Sequence, residues 1–144
     1  MQLKRYTDYS LRILIYLGIN PERVVSINEI AQAYAISRNH LLKVVIGLSE
    51  QGLIEAYRGK AGGWRLARSP HQINIGKVVA YMEDQGSIID CHEPECPILP
   101  ACNLKRALHV AQTAFFQALN QYTLADLLDK KQDKLIRLLA INTG

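Results

Sequence analysis

The sequence has no long hydrophobic run and no recognisable export signal. Its longest nearly uncharged apolar stretch, residues 13–19, is far shorter than the roughly 18 to 20 residues that cross a bilayer. Lys4 and Arg5 precede this stretch, but Arg12 lies between them and the stretch and no small-residue cleavage site follows, so a signal peptide is not expected. We therefore expect a cytoplasmic protein without membrane contact.

The chain also lacks the short motifs of several common enzyme classes. There is no GxSxG, no HExxH and no phosphate-binding loop, and the four histidines are scattered. We therefore expect that the protein is not an enzyme. Its 144 residues are 49% hydrophobic and 21% charged, which is sufficient for a real core in one domain with a small appendage.

Positive charge is concentrated in the first half of the chain. Residues 1–70 contain 10 Lys and Arg against 5 Asp and Glu, whereas residues 71–144 contain 7 against 8. The basic half is therefore the candidate for contact with an acidic partner such as nucleic acid.

Periodicity and capping signals predict three helices in the basic half. Apolar residues at helical spacing predict the first over residues 8–19, which Asn20-Pro21 ends. The S-x-x-E capping box of residues 26–29 opens the second helix. Ser37 is placed to cap the third, and Gly52 ends it. Two short helices joined by a tight turn predict a helix-turn-helix.

A basic hairpin follows the third helix. Residues 53–57 alternate as a strand, residues 58–63 form a glycine-rich tip, and residues 64–67 return. Helix-turn-helix followed by hairpin is the order of a winged helix. We therefore predict a mainly α-helical fold with a small β-hairpin, in which residues 1–70 form a winged helix-turn-helix DNA-binding domain.

The start of the third helix has the side chains that a recognition helix needs, because that end enters the major groove and reaches base edges. The polar and basic residues there are Ser37, Arg38, Asn39 and His40, with Lys43 one turn on. Arginine can fork onto guanine and asparagine onto adenine, whereas Lys43 is placed for phosphate. In the wing, glycines leave room for Arg58, Lys60 and Arg65 to approach the DNA backbone or a minor groove. Taken separately, the polar helix start is explained as an ordinary solvated first turn, and the glycine-rich tip as an ordinary hairpin turn. The two features together, in this order, favour double-stranded DNA as the partner.

Residues 71–102 are predicted to connect this domain to the rest of the chain. Apolar spacing predicts a short helix over residues 75–82, and residues 83–100 form an acidic loop that contains no Lys or Arg.

The C-terminal part, residues 103–144, is predicted to hold a dimerisation helix. An amphipathic helix over residues 103–120 has an apolar stripe wide enough for both the domain core and a symmetry mate. Two such helices, paired antiparallel, would present two recognition helices to a palindromic site. A purely intramolecular core helix explains the stripe equally well. A last helical segment is predicted from Thr123 to near Ala140.

All three cysteines, Cys91, Cys96 and Cys102, lie within twelve residues as C-x4-C-x5-C. In a cytosolic protein this clustering favours metal, cluster or thiol chemistry over structural disulfides. Zinc sites usually contain C-x2-C pairs, which are absent here, and zinc would need a fourth ligand from His92, Glu93, Glu95 or His109. Iron-sulfur clusters accept three thiolates from looser loops, with oxygen or nitrogen as a fourth ligand. The spacing alone leaves this choice open.

Several segments together resemble the Rrf-type winged-helix regulators. They are YTDYSLR (6–12), SRNHLLKVV (37–45), RGKAGGWRL (58–66), the cysteine loop, CNLKRAL (102–108) and YTLADLL (122–128). The resemblance covers nearly the whole chain and is strongest to the nitric-oxide-sensing repressors of that family. It implies a homodimeric repressor that senses nitric oxide through a 4Fe-4S cluster and leaves its palindromic promoter operator when the cluster is nitrosylated.

The resemblance also implies a set of cluster ligands. Cys91, Cys96 and Cys102 would hold the cluster, and an acidic residue at the start of helix one of the other subunit, here Asp8, would be the fourth ligand. Without the resemblance, Asp8 is simply a carboxylate stabilised by the dipole of the first helix. Arg12, one turn further on, is expected to pair with Asp8 when no cluster is bound and so to act as a switch.

Two alternatives remain at this stage. The iron-sulfur-biogenesis regulators of the same family have C-x5-C-x5-C and a histidine three residues after the last cysteine. Here the first gap is one residue shorter and that position is Lys105, which favours the nitric-oxide sensors over an iron-sulfur or redox-status regulator. The other alternative is a zinc- or thiol-based regulator without a cluster.

Overall fold

The fold consists of helices around one hairpin, in a computed structural model that describes residues 1–128 and 132–139. Seven α-helices and two β-strands occur in these residues: α1 Arg5–Gly18, α2 Ile27–Tyr34, α3 Arg38–Glu50, β1 Ile54–Tyr57, β2 Gly63–Leu66, α4 Ile75–Glu83, α5 Asn103–Leu119, α6 Leu124–Leu128 and α7 Gln132–Leu138. The predicted mainly α-helical fold with a β-hairpin is confirmed. The last predicted segment contains two helices, and its predicted end at Ala140 lies outside the described residues.

Helix α1 begins three residues earlier than its apolar periodicity predicts. Its first turn contributes Tyr6, which packs against the core, and the buried but polar Thr7, which an apolar pattern does not register. Its N-cap is Lys4, so Asp8 lies one turn inside the helix rather than at its cap. Lys4 is held from outside the helix: its backbone N–H donates to Glu83 Oε1 at 2.8 Å and its ammonium donates to the Glu83 carbonyl at 3.0 Å. The start of α1 is thereby tied to the end of α4.

Only half of the predicted capping box forms at α2. The Ser26 hydroxyl accepts from the Glu29 N–H at 3.2 Å, but the Glu29 carboxylate turns to the Arg23 guanidinium, at 2.8 and 2.7 Å. An arginine fork is a stronger partner for a carboxylate than one backbone N–H. At α3, Ser37 occupies the N-cap position without a side-chain cap bond, whereas Gly52 has the predicted left-handed conformation, with φ of 67°.

The core forms around α1, which packs against α3, α4 and α6. Fully buried members of this core are Ile13, Leu14, Leu17, Ile30, Leu41, Leu48 and Leu124. Leu128 of α6 lies directly over Gly18, where a Cβ atom would leave it no room. The C-terminal helix α6 is therefore part of the same core as the helix-turn-helix.

The wing is docked onto the segment that precedes α2. Its strands pair antiparallel with Ile54 opposite Leu66, and Trp64 forms a bridge with Val25 through N–H···O bonds of 2.9 and 2.8 Å. A Cβ on Gly63 would strike the Val25 carbonyl, so glycine is needed for this approach. No helix among the described residues is long and apolar enough to cross a membrane.

Candidate nucleic-acid interface and cysteine loop

The first turns of α3 form an exposed polar surface. The predicted DNA-reading residues all lie there and all are exposed: Ser37, Arg38, Asn39, His40 and Lys43. On the opposite side of α3, Leu41, Val44 and Val45 are buried in the core. The core therefore fixes this helix while its outer face stays accessible to a ligand.

The three wing residues that are predicted to contact DNA fall into two groups in the structure. Arg58 and Lys60 are exposed at the tip. Arg65 instead points back, donating to the Pro21 carbonyl at 3.0 Å, with its guanidinium carbon 5.7 Å from the centre of the Tyr57 ring. In this structure Arg65 holds the wing in place, and the tip cations are the ones that extend from it.

Asp8 and Arg12 form a forked ion pair on the surface of α1. The guanidinium donates to both carboxylate oxygens, at 2.8 and 3.0 Å, and this bond raises the pKa of Arg12. The Arg12 guanidinium carbon also lies 5.9 Å from the Tyr9 ring centre and 5.7 Å from that of Tyr34. The side chains are 42% and 41% exposed, so both oxygens of Asp8 are bound yet remain accessible.

Two tyrosines that sequence reasoning missed connect this pair to its neighbours. Tyr9 stacks on His40 of α3, with ring centres 6.3 Å apart and planes inclined by 28°. The Tyr34 hydroxyl donates to the Arg12 carbonyl at 3.1 Å, and burial raises the pKa of Tyr34 to about 12. One side chain, Tyr9, thus separates the ion pair from the candidate recognition surface. No periodicity marks such a contact, because it depends on how two helices cross.

The cysteine loop is folded by backbone hydrogen bonds. Cys96 N–H donates to the Cys91 carbonyl at 3.0 Å. The Asp90 carboxylate accepts from the N–H groups of His92 and Glu93, at 2.9 and 3.2 Å, and these bonds lower the pKa of Asp90. The loop therefore has a defined shape that does not require bonds between its thiols.

All three thiols are free in the structure. Cys91 is buried, whereas Cys96 and Cys102 are half-buried. Cys102 is the N-cap residue of α5 and makes no side-chain cap bond there. Thiolates are the ligands that iron-sulfur clusters use, and the side chain of Cys102 is not engaged as a helix cap.

The donor set fits an iron-sulfur cluster chemically but is not assembled within one chain. Among residues 1–128 and 132–139, no three side chains of His, Cys, Asp or Glu converge to hold a metal ion. Asp8 lines a shallow depression formed by residues 1–12 and 34–36, and none of the cysteines lines it. The structure thus has three free thiols in one segment and a carboxylate on a separate helix, which do not converge within the described residues.

A winged helix with an exposed polar and basic recognition helix defines a class of DNA-binding transcription regulator. Residues 3–130 match the sequence model of the Rrf2 family, described as an iron-dependent transcriptional regulator. The chain belongs to the Rrf2 family of transcriptional regulators.

Relatives within the family are similar over nearly their full length. The chain is 47% identical to the HTH-type transcriptional regulator NsrR of Halalkalibacterium halodurans, over 98% of this chain and 99% of that one. Identity to NsrR of Bacillus subtilis is 44%, over 96% and 99% of the two chains. The structure is similar to that of CymR, the global cysteine regulator of B. subtilis, with a TM-score of 0.70, 27% identity, and 88% and 95% of the chains covered. These relatives are named regulators, in agreement with the prediction that the chain is not an enzyme.

Proposed function

We propose that this protein is a nitric-oxide-responsive repressor that binds palindromic double-stranded DNA as a homodimer. It senses through a 4Fe-4S cluster held by Cys91, Cys96 and Cys102, with Asp8 from the partner subunit as fourth ligand. The observation that carries the proposal is the presence of three free thiols on one backbone-folded loop of a winged-helix chain. The similarity to regulators named NsrR supports it.

Each set of ligands has a distinct part in this proposal. When bound, the cluster would supply iron that reacts with nitric oxide, most readily at the carboxylate-bound corner, since carboxylate oxygen is a harder and weaker ligand than thiolate. The three thiols belong to a single loop, so their positions are set by one chain. Asp8 belongs to α1 of the winged helix, so its engagement joins a DNA-reading domain to the cysteine loop of the other subunit.

Asp8 has a competing partner in its own chain. Both carboxylate oxygens of Asp8 accept hydrogen bonds from Arg12. To bind iron, Asp8 would have to give up at least one of these two bonds. Tyr9 and Tyr34 hold the Arg12 guanidinium in place for this pairing. We therefore assign to Arg12 the role of stabilising the cluster-free arrangement.

Helix α5 supports a dimer because only one of its sides, which includes Phe115, Phe116 and Leu119, packs against its own chain. None of its 17 residues is fully buried. Exposed small and apolar residues recur on one face at three- and four-residue spacing: Leu104, Ala107, Ala111, Ala114 and Ala118. Small side chains allow two helices to approach closely, and an antiparallel pair of α5 helices would relate two recognition helices by a twofold axis.

A change in the spacing of the two recognition helices is sufficient for regulation. Half-sites lie one helical turn or a multiple of it apart, so a shift of a few ångströms spoils the fit of a dimer. A roughly hundredfold loss of affinity corresponds to about 3 kcal/mol of differential binding between the two arrangements.

An Asp8→Ala variant tests the proposed ligand. We expect Asp8→Ala to lose the cluster-dependent gain in DNA affinity, so that its affinity is the same before and after anaerobic reconstitution. Because the variant also lacks the ion pair with Arg12, its cluster-free affinity should rise above that of cluster-free wild type. Glu22→Ala removes an exposed carboxylate elsewhere in the winged helix and should behave as wild type. Retention of the full gain by Asp8→Ala would exclude Asp8 as a ligand and leave the thiol loop to be tested separately.

A further inference from the structure

A small cavity opens beside the recognition helix, at the place where α1 begins. Three residues of α1 and three of α3 line it: Arg5, Tyr6, Tyr9, His40, Lys43 and Val44. Arg5 was not among the residues that the sequence pattern assigns to DNA contact. Its position in the fold brings it next to two that were, because the first turn of α1 lies beside the second turn of α3.

The lining of this cavity suits an anion. Arg5 and Lys43 are exposed cations from two different helices, and His40 is a third nitrogen donor between them. No Asp or Glu is among the residues that line it. The Tyr6 and Val44 side chains form an apolar wall, and Tyr9 stacks on His40 and limits the orientations of its ring.

The location of the cavity favours the DNA backbone as the source of that anion. When the start of a recognition helix lies in the major groove, the neighbouring helix crosses the phosphate backbone. Lys43 lies one turn beyond Asn39 on α3, and Arg5 lies across the cavity from it on α1. Cations on two helices are thus placed on either side of a single opening at the flank of the reading surface.

We propose that Arg5, His40 and Lys43 form a phosphate-binding pocket for one phosphodiester of the DNA backbone. The pocket rests on the proposed DNA-binding function and adds to it a contact that sets the depth and register of α3 in the groove. Such a contact positions the protein without reading sequence, because phosphates are the same at every base pair.

The test compares Arg5→Gln with Arg68→Gln, which removes an equal charge beside Gly52, near the opposite end of α3. Loss of one phosphate contact per subunit, two per homodimer, should reduce the slope of log affinity against log salt by about 1.8, which is a loss of about sixtyfold at 0.1 M salt. We expect this loss for Arg5→Gln on operator and unrelated duplexes alike. Arg68→Gln should change both far less, and Arg5→Lys should retain most of the affinity.

A second measurement identifies the phosphate. Duplexes with one neutral methylphosphonate linkage are scanned along each strand, in the salt conditions used above. In each half-site of the operator, one linkage should weaken wild type but should not weaken Arg5→Gln further, since the contact is already lost.

The outcomes separate this pocket from the function on which it rests. Equal losses for Arg5→Gln and Arg68→Gln, or no linkage with this behaviour, would overturn the pocket while leaving DNA binding intact. A loss for Arg5→Gln on operator only would also overturn it, because that would be base readout. Failure of wild type to bind any duplex would overturn the proposed function and the pocket together.

Discussion

At the scale of single residues, the proposed regulation depends on the ion pair between Asp8 and Arg12. The two residues are four apart on α1 and meet in a forked bond of 2.8 and 3.0 Å. The spacing alone predicts that they can meet. Tyr9, three residues before Arg12 on the same helix, is also within reach by spacing, whereas the contact with Tyr34 comes from the packing of α1 against α2, which the spacing does not contain.

Arg12→Ala should raise the DNA affinity of the cluster-free protein and leave that of the cluster-loaded protein nearly unchanged. An exposed ion pair and a cation–π contact together contribute on the order of 1 kcal/mol, so the expected rise is about fivefold. Loss of a positive charge by itself would lower DNA affinity, so a rise is diagnostic. Fluorescence anisotropy of both states measures the effect, and unchanged affinities in both would contradict the role of Arg12.

Glu29 should account for part of the stability lost in acid. Burial opposes its ionisation, but hydrogen bonds from Arg23 and Tyr16 outweigh burial and lower the pKa of Glu29 below its usual 4.5. Its contribution is therefore present above that value and is lost as pH falls through the lower folded-state pKa. Glu29→Gln should show a weaker decline in thermal stability than wild type between neutral pH and pH about 3.

A matched control for Glu29 is Glu22→Gln, which removes an exposed carboxylate seven residues away. We expect its pH profile to follow that of wild type. If Glu29→Gln also follows wild type, the Arg23 pair does not contribute to stability in the way proposed.

At the scale of elements, the recognition helix and the wing should make different contributions to DNA binding. Arg38 lies at the start of α3, where base edges are reached, whereas Lys60 lies at the tip of the wing. Arg38→Ala should relax base preference at one position, at a cost of about 1–3 kcal/mol on the preferred operator. Lys60→Ala should weaken all sequences alike and flatten the salt dependence. Binding to a panel of operator variants at several salt concentrations separates the two; equal losses of specific and nonspecific binding in both variants would contradict the assignment.

The elements themselves were largely predictable from local pattern. Apolar periodicity and the left-handed Gly52 located α3, and alternation with a glycine-rich tip located the hairpin. The local pattern failed at the capping box, because the Glu29 carboxylate pairs with Arg23 instead of the backbone. Arg65 donates to the Pro21 carbonyl, a contact that no local pattern contains, and its contact with DNA stays a prediction. In the cysteine loop, spacing predicted thiol or metal chemistry, but the proposed fourth ligand comes only from family resemblance, since Asp8 lies on a separate helix.

At the scale of the whole molecule, the proposed site needs two chains. Asp8 on α1 and the cysteine loop are not assembled within the described part of one chain, and α5 has an exposed apolar face. Lys4 and Glu83 additionally link the start of α1 to the helix from which the cysteine loop departs. The helix that leads into the cysteine loop is thereby bonded to the first helix of the winged helix in the same chain.

Ala114→Glu should dissociate the proposed dimer, because it places a charge in the middle of the exposed apolar face of α5. Sedimentation velocity should then show a monomer that binds operator DNA at least tenfold more weakly. Thr113→Glu adds the same charge at an exposed position on a different face of α5 and should remain dimeric. A dimeric Ala114→Glu variant with wild-type affinity would assign the interface elsewhere.

The most direct test of the central claim measures iron and acid-labile sulfide per chain, with the visible spectrum and operator binding, in protein purified without oxygen and then exposed to nitric oxide. We predict about four iron and four sulfide per chain. Nitric oxide should bleach the spectrum and release the DNA in the same concentration range. A colourless protein with zinc or no metal after anaerobic reconstitution, or operator binding unaffected by nitric oxide, would contradict the account.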